Sequence, residues 1–307
     1  MKSEFYPIDK SNSSTKGTAC DCGCVRTYPT EAIKHYEDSR RDFLRKALMT
    51  GTAAALLPFI AESEAEADLF KPSVADQRKL GQQAAAEILK KYPEVKDSRA
   101  VSFRRVGERL VEAMGDKRGP WDYSFRVVKS DEVNAFALPG GPMFIYTGLI
   151  DRIKSADELA GVTAHETQHV RLEHWAKQQA SQQERGLGFG LLLGILKAGG
   201  TAQAVVGSLN SIWTLKFSRG DEDAADSNGL NVMYNAGYDP EGLIDLFNTL
   251  KAASGGKSGG APEFLSTHPL TDNRIKKAKE RIAKLKAQKP QPQRSQSRNR
   301  VGNTPPR

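Results

Sequence analysis

The sequence predicts an α+β fold, mainly helical, with a small antiparallel sheet beside one histidine-bearing helix. Three observations predict it. Apolar residues recur at helical spacing through residues 76–114 and again from about Ser155 to Lys286. Between these stretches, residues 123–147 are rich in aromatic and β-branched side chains and are broken by Pro139-Gly140-Gly141-Pro142. A chain of 307 residues, 38% of them hydrophobic, has enough apolar material for one or two domains with a sizeable core.

Residues 1–38 form a polar leader without clear periodicity, and it holds all three cysteines, Cys20, Cys22 and Cys24. The spacing C-x-C-x-C suits a metal only weakly, and a dispensable leader or a misplaced start codon is the plainer reading. The remaining body has no cysteine, which excludes disulfides and thiolate ligands there. Residues 39–67 read as an export signal. Arg40-Arg41 precedes Phe43 and Leu44, an apolar run follows from Ala47 to Ile60, and Ala65-Glu66-Ala67 offers small residues for a signal peptidase. "SRRDFLRK" resembles the twin-arginine pattern. The run is shorter than the roughly 20 residues of a membrane span. The mature chain is then expected to begin near Asp68, folded and loaded with metal before export.

Residues 68–287 are expected to form the folded domain. Helices are predicted over Asp76–Lys91 and Ser98–Met114, the second ending at Gly115. Strands are predicted near 123–128, 133–138 and 142–147, the last two joined at the Pro-Gly turn. Residues 186–213, beginning "GLGFGLLLGIL", read as a buried helical hairpin, or else as an apolar surface that touches membrane or substrate. From Lys284 onward there are seven Lys or Arg and no acid, while residues 68–283 carry only +2 of the formal +8. The high pI therefore belongs to the tail. Residues 288–307 are expected to be disordered and basic, and no nucleic-acid partner is expected.

Within "GVTAHETQHVRLEHW" stands H-E-x-x-H. A helix turns about 100° per residue, so His165 and His169 share a face and can hold one zinc ion. Glu166 lies beside the remaining coordination position and suits a general base toward water. His174 follows His165 by nine residues, about 900° or half a turn net, so on a continuous helix it points away from the metal. The three-histidine pattern H-E-x-x-H-x-x-G-x-x-H fails at Leu172 and Trp175. His174 is expected to be a packing or hydrogen-bonding residue. A carboxylate from a later helix is the remaining source of a third ligand. In "SRGDEDAAD", Glu222 and Asp226 lie four apart on one face, suited to bind zinc and to hydrogen-bond a histidine ligand respectively. A charged helix start explains the same cluster equally simply. Asp221 and Asp223 fall on other faces and read as solvated.

Four ordered stretches, "NAFALPGGPMFIYTGLI", "HETQHVRLEH", "SRGDEDAAD" and "STHPLTDNRI", resemble the HtpX-like and CAAX-prenyl-protease-like zinc metallopeptidases (metallopeptidase family 48), in particular their soluble BepA-like branch. The resemblance covers about Gln77 to Leu285. It implies a gluzincin with one Zn²⁺ per chain, ligands His165, His169 and Glu222, base Glu166, and Asp226 as the aspartate of E-x-x-x-D. It implies a substrate-pairing strand at Asn134, Ala135, Phe136, Ala137 and Leu138, a loop histidine, His268, that caps the open metal position, and an oxyanion-stabilising arginine, Arg274. For the last two, a helix-start turn with a solvent-facing cation is the alternative. Two departures touch no expected ligand: Glu173 replaces the usual Arg, and Ala224 replaces an acid.

The sequence thus points to an exported zinc endopeptidase acting on misfolded or stalled envelope proteins. A chaperone-like or assembly factor with a latched zinc site is the rival reading, and peripheral membrane or envelope contacts are the expected further partners. Replacing Arg40 and Arg41 together by Lys is expected to leave the protein in the cytoplasm, read by cell fractionation; unchanged export would rule out the twin-arginine route.

Overall fold

Ser73 starts the first long helix of the main body. Its hydroxyl accepts from the Asp76 N–H (3.1 Å), and the Asp76 carboxylate accepts in return from the Ser73 hydroxyl and backbone N–H. The computed structural model describes residues 17–19, 25–27, 71–184, 216–255 and 262–288. The cysteine run, the export signal, the apolar stretch 186–213 and the basic tail after Gln288 lie outside the described residues. The chain divides into two units, residues 1–70 and 71–307. In the first, strands β1 (Gly17–Ala19) and β2 (Val25–Thr27) pair antiparallel, an element the sequence reading did not anticipate.

In the second unit, α1 (Val74–Lys91) buries Leu80, Ala84, Ala85 and Ile88, the stripe its periodicity predicts, and begins two residues earlier than expected because the cap is Ser73. A two-residue strand, β3 (Glu94–Val95), leads into α2 (Ser98–Met114). Asp97 caps α2 through the Arg99 N–H, and Gly115, at φ 53°, ends it as predicted. Strands β4 (Ser124–Val128), β5 (Ala135–Ala137) and β6 (Pro142–Tyr146) follow within a residue or two of their predicted places.

The sheet is mixed, which corrects the expectation of an antiparallel one. Its order is β3-β4-β6-β5; β4 and β6 run parallel, while the other two pairings are antiparallel. Strands β4 and β5 form an open hairpin, and β6 inserts between them, which aligns β6 with β4. That central position explains why every residue of β6, "PMFIY", is buried and why its sequence does not alternate. It also leaves β5 at the sheet edge.

The turn from β5 to β6 depends on glycine. Gly140 and Gly141 adopt φ 81° and 126°, and a Cβ on Gly140 would lie 2.5 Å from the Arg78 Cα. The turn presses on α1, where a Cβ on Gly81 would lie 1.8 Å from the Pro139 carbonyl oxygen.

After a short helix, α3 (Thr147–Ile150), Ser155 caps α4 (Ala156–Arg171) through the Glu158 N–H. Every residue of α4 from Glu158 to Val170 is buried, because α2, β5, α6 (Arg219–Asn235) and α7 (Glu241–Ser254) pack around it. The chain then bends into α5 (His174–Glu184). A short helix, α8 (Glu263–Thr267), and the long α9 (Asp272–Gln288) complete the body. Among the described residues no helix is long and apolar enough to cross a membrane.

Gly81→Ala is expected to destabilise the protein by roughly 1–3 kcal/mol, the usual overpacking cost, because backbone opposes the added methyl. Urea unfolding measures it; an unchanged midpoint would mean the turn does not rest on α1 as described.

Candidate metal centre

Helix α4 sets His165 and His169 one turn apart with their Nε2 atoms 3.0 Å from each other. Helix α6 crosses α4 and brings Glu222 to them, Oε1 3.5 Å from His169 Nε2 and Oε2 3.6 Å from His165 Nε2. His268, which ends α8, closes the group: its Nδ1 lies 2.9 Å from Glu222 Oε1 and 3.2 Å from His165 Nε2. One ligand atom from each of the four residues lies within 4.8 Å of all the others, and all four side chains are buried.

These residues fit a zinc ion. The donors are imidazole nitrogen and carboxylate oxygen, the set zinc prefers, in the number its tetrahedral shell takes. The Asp226 Oδ1 lies 2.8 Å from His165 Nδ1, so the carboxylate draws the ring proton there and leaves Nε2 bare toward the cluster. Bare nitrogens facing each other at 3.0–3.2 Å repel unless a proton or a metal lies among them. Charge points the same way. Glu166, Glu222 and Asp226 are buried together with one fixed cation, Arg274, a deficit that a divalent ion would fill.

Glu166 sits at the rim of the cluster. Its Oε2 accepts the Ala137 N–H (3.0 Å), while its buried Oε1 makes no hydrogen bond and lies 3.4 Å from His268 Nε2. Strand β5 is turned so that this contact is available. The Leu138 N–H goes to Pro142 and the Tyr146 N–H goes to Asn134, so these residues spend their main-chain bonds on β6. By alternation, Ala135 and Ala137 present theirs to the edge beside α4, which no other strand among the described residues pairs.

Behind the cluster, Arg274 at the start of α9 grips Asp226 with two nitrogens, Nε to Oδ2 at 2.8 Å and Nη2 to Oδ1 at 2.9 Å. Its Nη1 reaches Glu222 Oε2 and the Pro269 carbonyl. Arg274, 4% exposed, is therefore not solvent-facing, and its donors point at the carboxylates rather than at the rim. Asp221 completes the cap of α6 with Ser218, and Asp223 pairs with Lys277, so neither is the freely solvated acid its helix position suggested.

The His174 reading holds in outcome but not in geometry. The helix is not continuous. Leu172 caps α4 and Glu173 takes a left-handed φ of 56°, a break that other zinc sites make with glycine. The bend brings His174 Nδ1 to 3.0 Å from His169 Nδ1, a hydrogen-bonding contact and not a ligand position. Sequence reasoning missed two rings. The Phe217 ring centroid lies 4.0 Å from that of His169 and 5.3 Å from that of His268, on which Phe264 also stacks at 4.6 Å. The available signals were a lone phenylalanine directly before "SRGDED" and another four residues before His268.

Burial raises the Glu166 carboxyl above its ordinary range, although His268 and His165 pull it back in part. Burial likewise pushes His169 well below the usual imidazole value and His174 down to about 4, which keeps both rings neutral. For Asp226 burial opposes ionisation, but the hydrogen bonds and charges of His165 and Arg274 outweigh it and hold the carboxyl at about 2. A carboxyl depressed on folding contributes stability above its unfolded value of 3.8, and this contribution is lost as pH falls toward about 2. It amounts to the order of 2 kcal/mol. In the metal-free protein, Asp226→Ala is expected to cost roughly 3–5 kcal/mol near neutrality, because Arg274 Nε and Nη2 lose their carboxylate while buried and only Nη1 keeps its bonds to Glu222 and Pro269. It should also flatten the fall in stability between about pH 4 and pH 2. Urea unfolding across pH tests both; a variant with the wild-type pH profile would remove Asp226 from the network.

Residues 97–282 match the model of peptidase family M48. The chain is 32% identical over 189 residues to the beta-barrel assembly-enhancing protease of Yersinia pestis, covering 59% of this chain and 38% of that protein. It is 32% identical over 211 residues to the mitochondrial metalloendopeptidase OMA1 of Schizosaccharomyces pombe, covering 66% and 60%. Metalloprotease YcaL of Escherichia coli is 27% identical over 223 residues, 69% of this chain and 82% of its own. The match thus spans less than two thirds of the length of the first two relatives. Since the family match takes in more than half of the chain and runs through all four residues of the buried cluster, the chain belongs to peptidase family M48, the zinc metallopeptidases.

Proposed function

We propose that this chain is an exported zinc-dependent endopeptidase that hydrolyses peptide bonds in misfolded or stalled envelope proteins. The observation that carries the reading is the placement of Glu166 between the four-residue cluster and the open edge of β5. His165, His169 and Glu222 would hold the ion, and Asp226 would fix the His165 ring. When bound, zinc supplies a Lewis acid that polarises a peptide carbonyl and acidifies water. The main-chain groups that Ala135 and Ala137 turn toward the edge would align an extended substrate by strand pairing, the Ala137 N–H first leaving Glu166; such pairing reads backbone and so tolerates many side chains. Glu166, its carboxyl raised by burial, takes the proton from the attacking water and passes it to the leaving amine. Arg274 contributes by holding Glu222 and Asp226; an oxyanion role would require Nη1 to leave Glu222. The name of one relative, a beta-barrel assembly-enhancing protease, supports a substrate in envelope assembly, and that of the other, a mitochondrial metalloendopeptidase, supports endopeptidase activity. The signal at residues 39–67 supports export to the periplasm.

His268 favours the second reading, a latched site in a chaperone-like or assembly factor. It stands where the fourth coordination position is expected, and Phe217 and Phe264 both stack on its ring.

Casein cleavage, with and without a chelator, separates the readings. The protease reading expects chelator-sensitive cleavage that Glu166→Gln abolishes with zinc retained, a loss of at least about 100-fold. The latched reading expects no wild-type cleavage and its appearance in His268→Ala. Cleavage that survives Glu166→Gln would refute the assigned base.

A further inference from the structure

We infer that His174 is a positioning residue for metal binding: it accepts the hydrogen bond that His169 Nδ1–H donates, keeps the proton on that nitrogen and so presents the His169 Nε2 lone pair to the ion. The inference rests on the zinc reading above. Within that reading His165 and His169 face the same requirement. An imidazole binds through Nε2 only if Nδ1 carries the proton, and that buried N–H needs an acceptor. His165 has the Asp226 carboxylate at 2.8 Å. The described hydrogen-bond partner of His169 Nδ1 is His174 Nδ1, at 3.0 Å, with the two rings edge to face at 77°. If His174 accepts there, its own proton sits on Nε2, on the side where Asp221 Oδ1 lies 3.6 Å away. Asp221 also caps the helix that carries Glu222, so His174 links the start of that helix to the His169 ring.

The backbone is arranged to make this contact. His174 reaches His169 only because Glu173 holds a left-handed conformation that glutamate disfavours. The surroundings fix that corner from both carboxylate oxygens. Gln77 Nε2 donates to Glu173 Oε1 at 2.9 Å, and Lys71 Nζ donates to Oε2 at 3.1 Å. A strained residue held by two long-range bonds beside a metal cluster is the pattern expected where the bend itself is needed. Glu173 stands where relatives were expected to carry arginine, and here its charge serves this anchoring.

Zinc affinity of the full chain, measured by competition with a chromogenic chelator, tests the inference, with melting of the metal-free protein as the folding control. His174→Leu removes the acceptor and is expected to weaken zinc binding roughly 10–100-fold. His174→Asn places its carbonyl oxygen near the former Nδ1 and is expected to recover most of the loss. His174→Gln places its polar end near the former Nε2 and is expected to recover little. The cobalt-substituted protein should show altered visible absorption in the Leu and Gln variants and not in Asn. Wild-type affinity in His174→Leu, or equal losses in Asn and Gln, would overturn the inference and leave the zinc reading standing. If Leu does not fold, the order of Asn and Gln decides alone. A wild-type chain that binds no zinc would remove both readings.

Discussion

The structure is organised around a helix that is buried on every side and yet carries His165, Glu166 and His169 in its middle. A wholly buried helix is ordinarily apolar all round, because each polar side chain taken from water must find a partner inside. Here the neighbours of α4 supply the partners. Strand β5 gives Glu166 a backbone N–H, and α6 gives His165 the Asp226 carboxylate. Helix α9 gives Arg274, which ties Asp226 and Glu222 together. These contacts come from segments far apart in the chain, so the fold and the site are one construction. Removing either partner of such a buried ionic contact strands the other, which is why the network is costly to disturb.

The same requirement accounts for the mixed sheet. Strand β6 must be central to bury five successive residues, and its insertion between β4 and β5 puts the short β5 at the edge with two alanines facing α4. Small side chains let backbone approach a carboxylate closely. The Pro139-Gly140-Gly141 turn, pressed against Gly81, sets the level at which that edge stands. A sequence reader sees three strands and a turn. Pairing order is a matter of which strand has most apolar surface to bury, and that is settled by packing with the helices.

Much of the site was legible. Four-residue spacing identifies His165 with His169 and Glu222 with Asp226, because helical geometry puts residues four apart on one face. The helix spans 76–91 and 98–114 and the stop at Gly115 follow from local chemistry that sequence displays directly. His174 was legible only in part. Rotation along an unbroken helix correctly denied it a ligand position, but nothing local announces that Glu173 will break the helix in a conformation glutamate avoids. That break is held by Lys71 and Gln77, about a hundred residues earlier, and so has no local signal.

By itself the sequence determined the residue types, the helical faces that pair them and the family pattern in which they occur, since each of these is a matter of spacing along one element. Tertiary structure alone decided which of those faces meet. It placed His268 against Glu222, turned Arg274 inward to the carboxylates and folded His174 back onto His169. The physical reason is that a buried polar atom accepts whichever partner packing brings within about 3 Å, and that distance is fixed by contacts between elements.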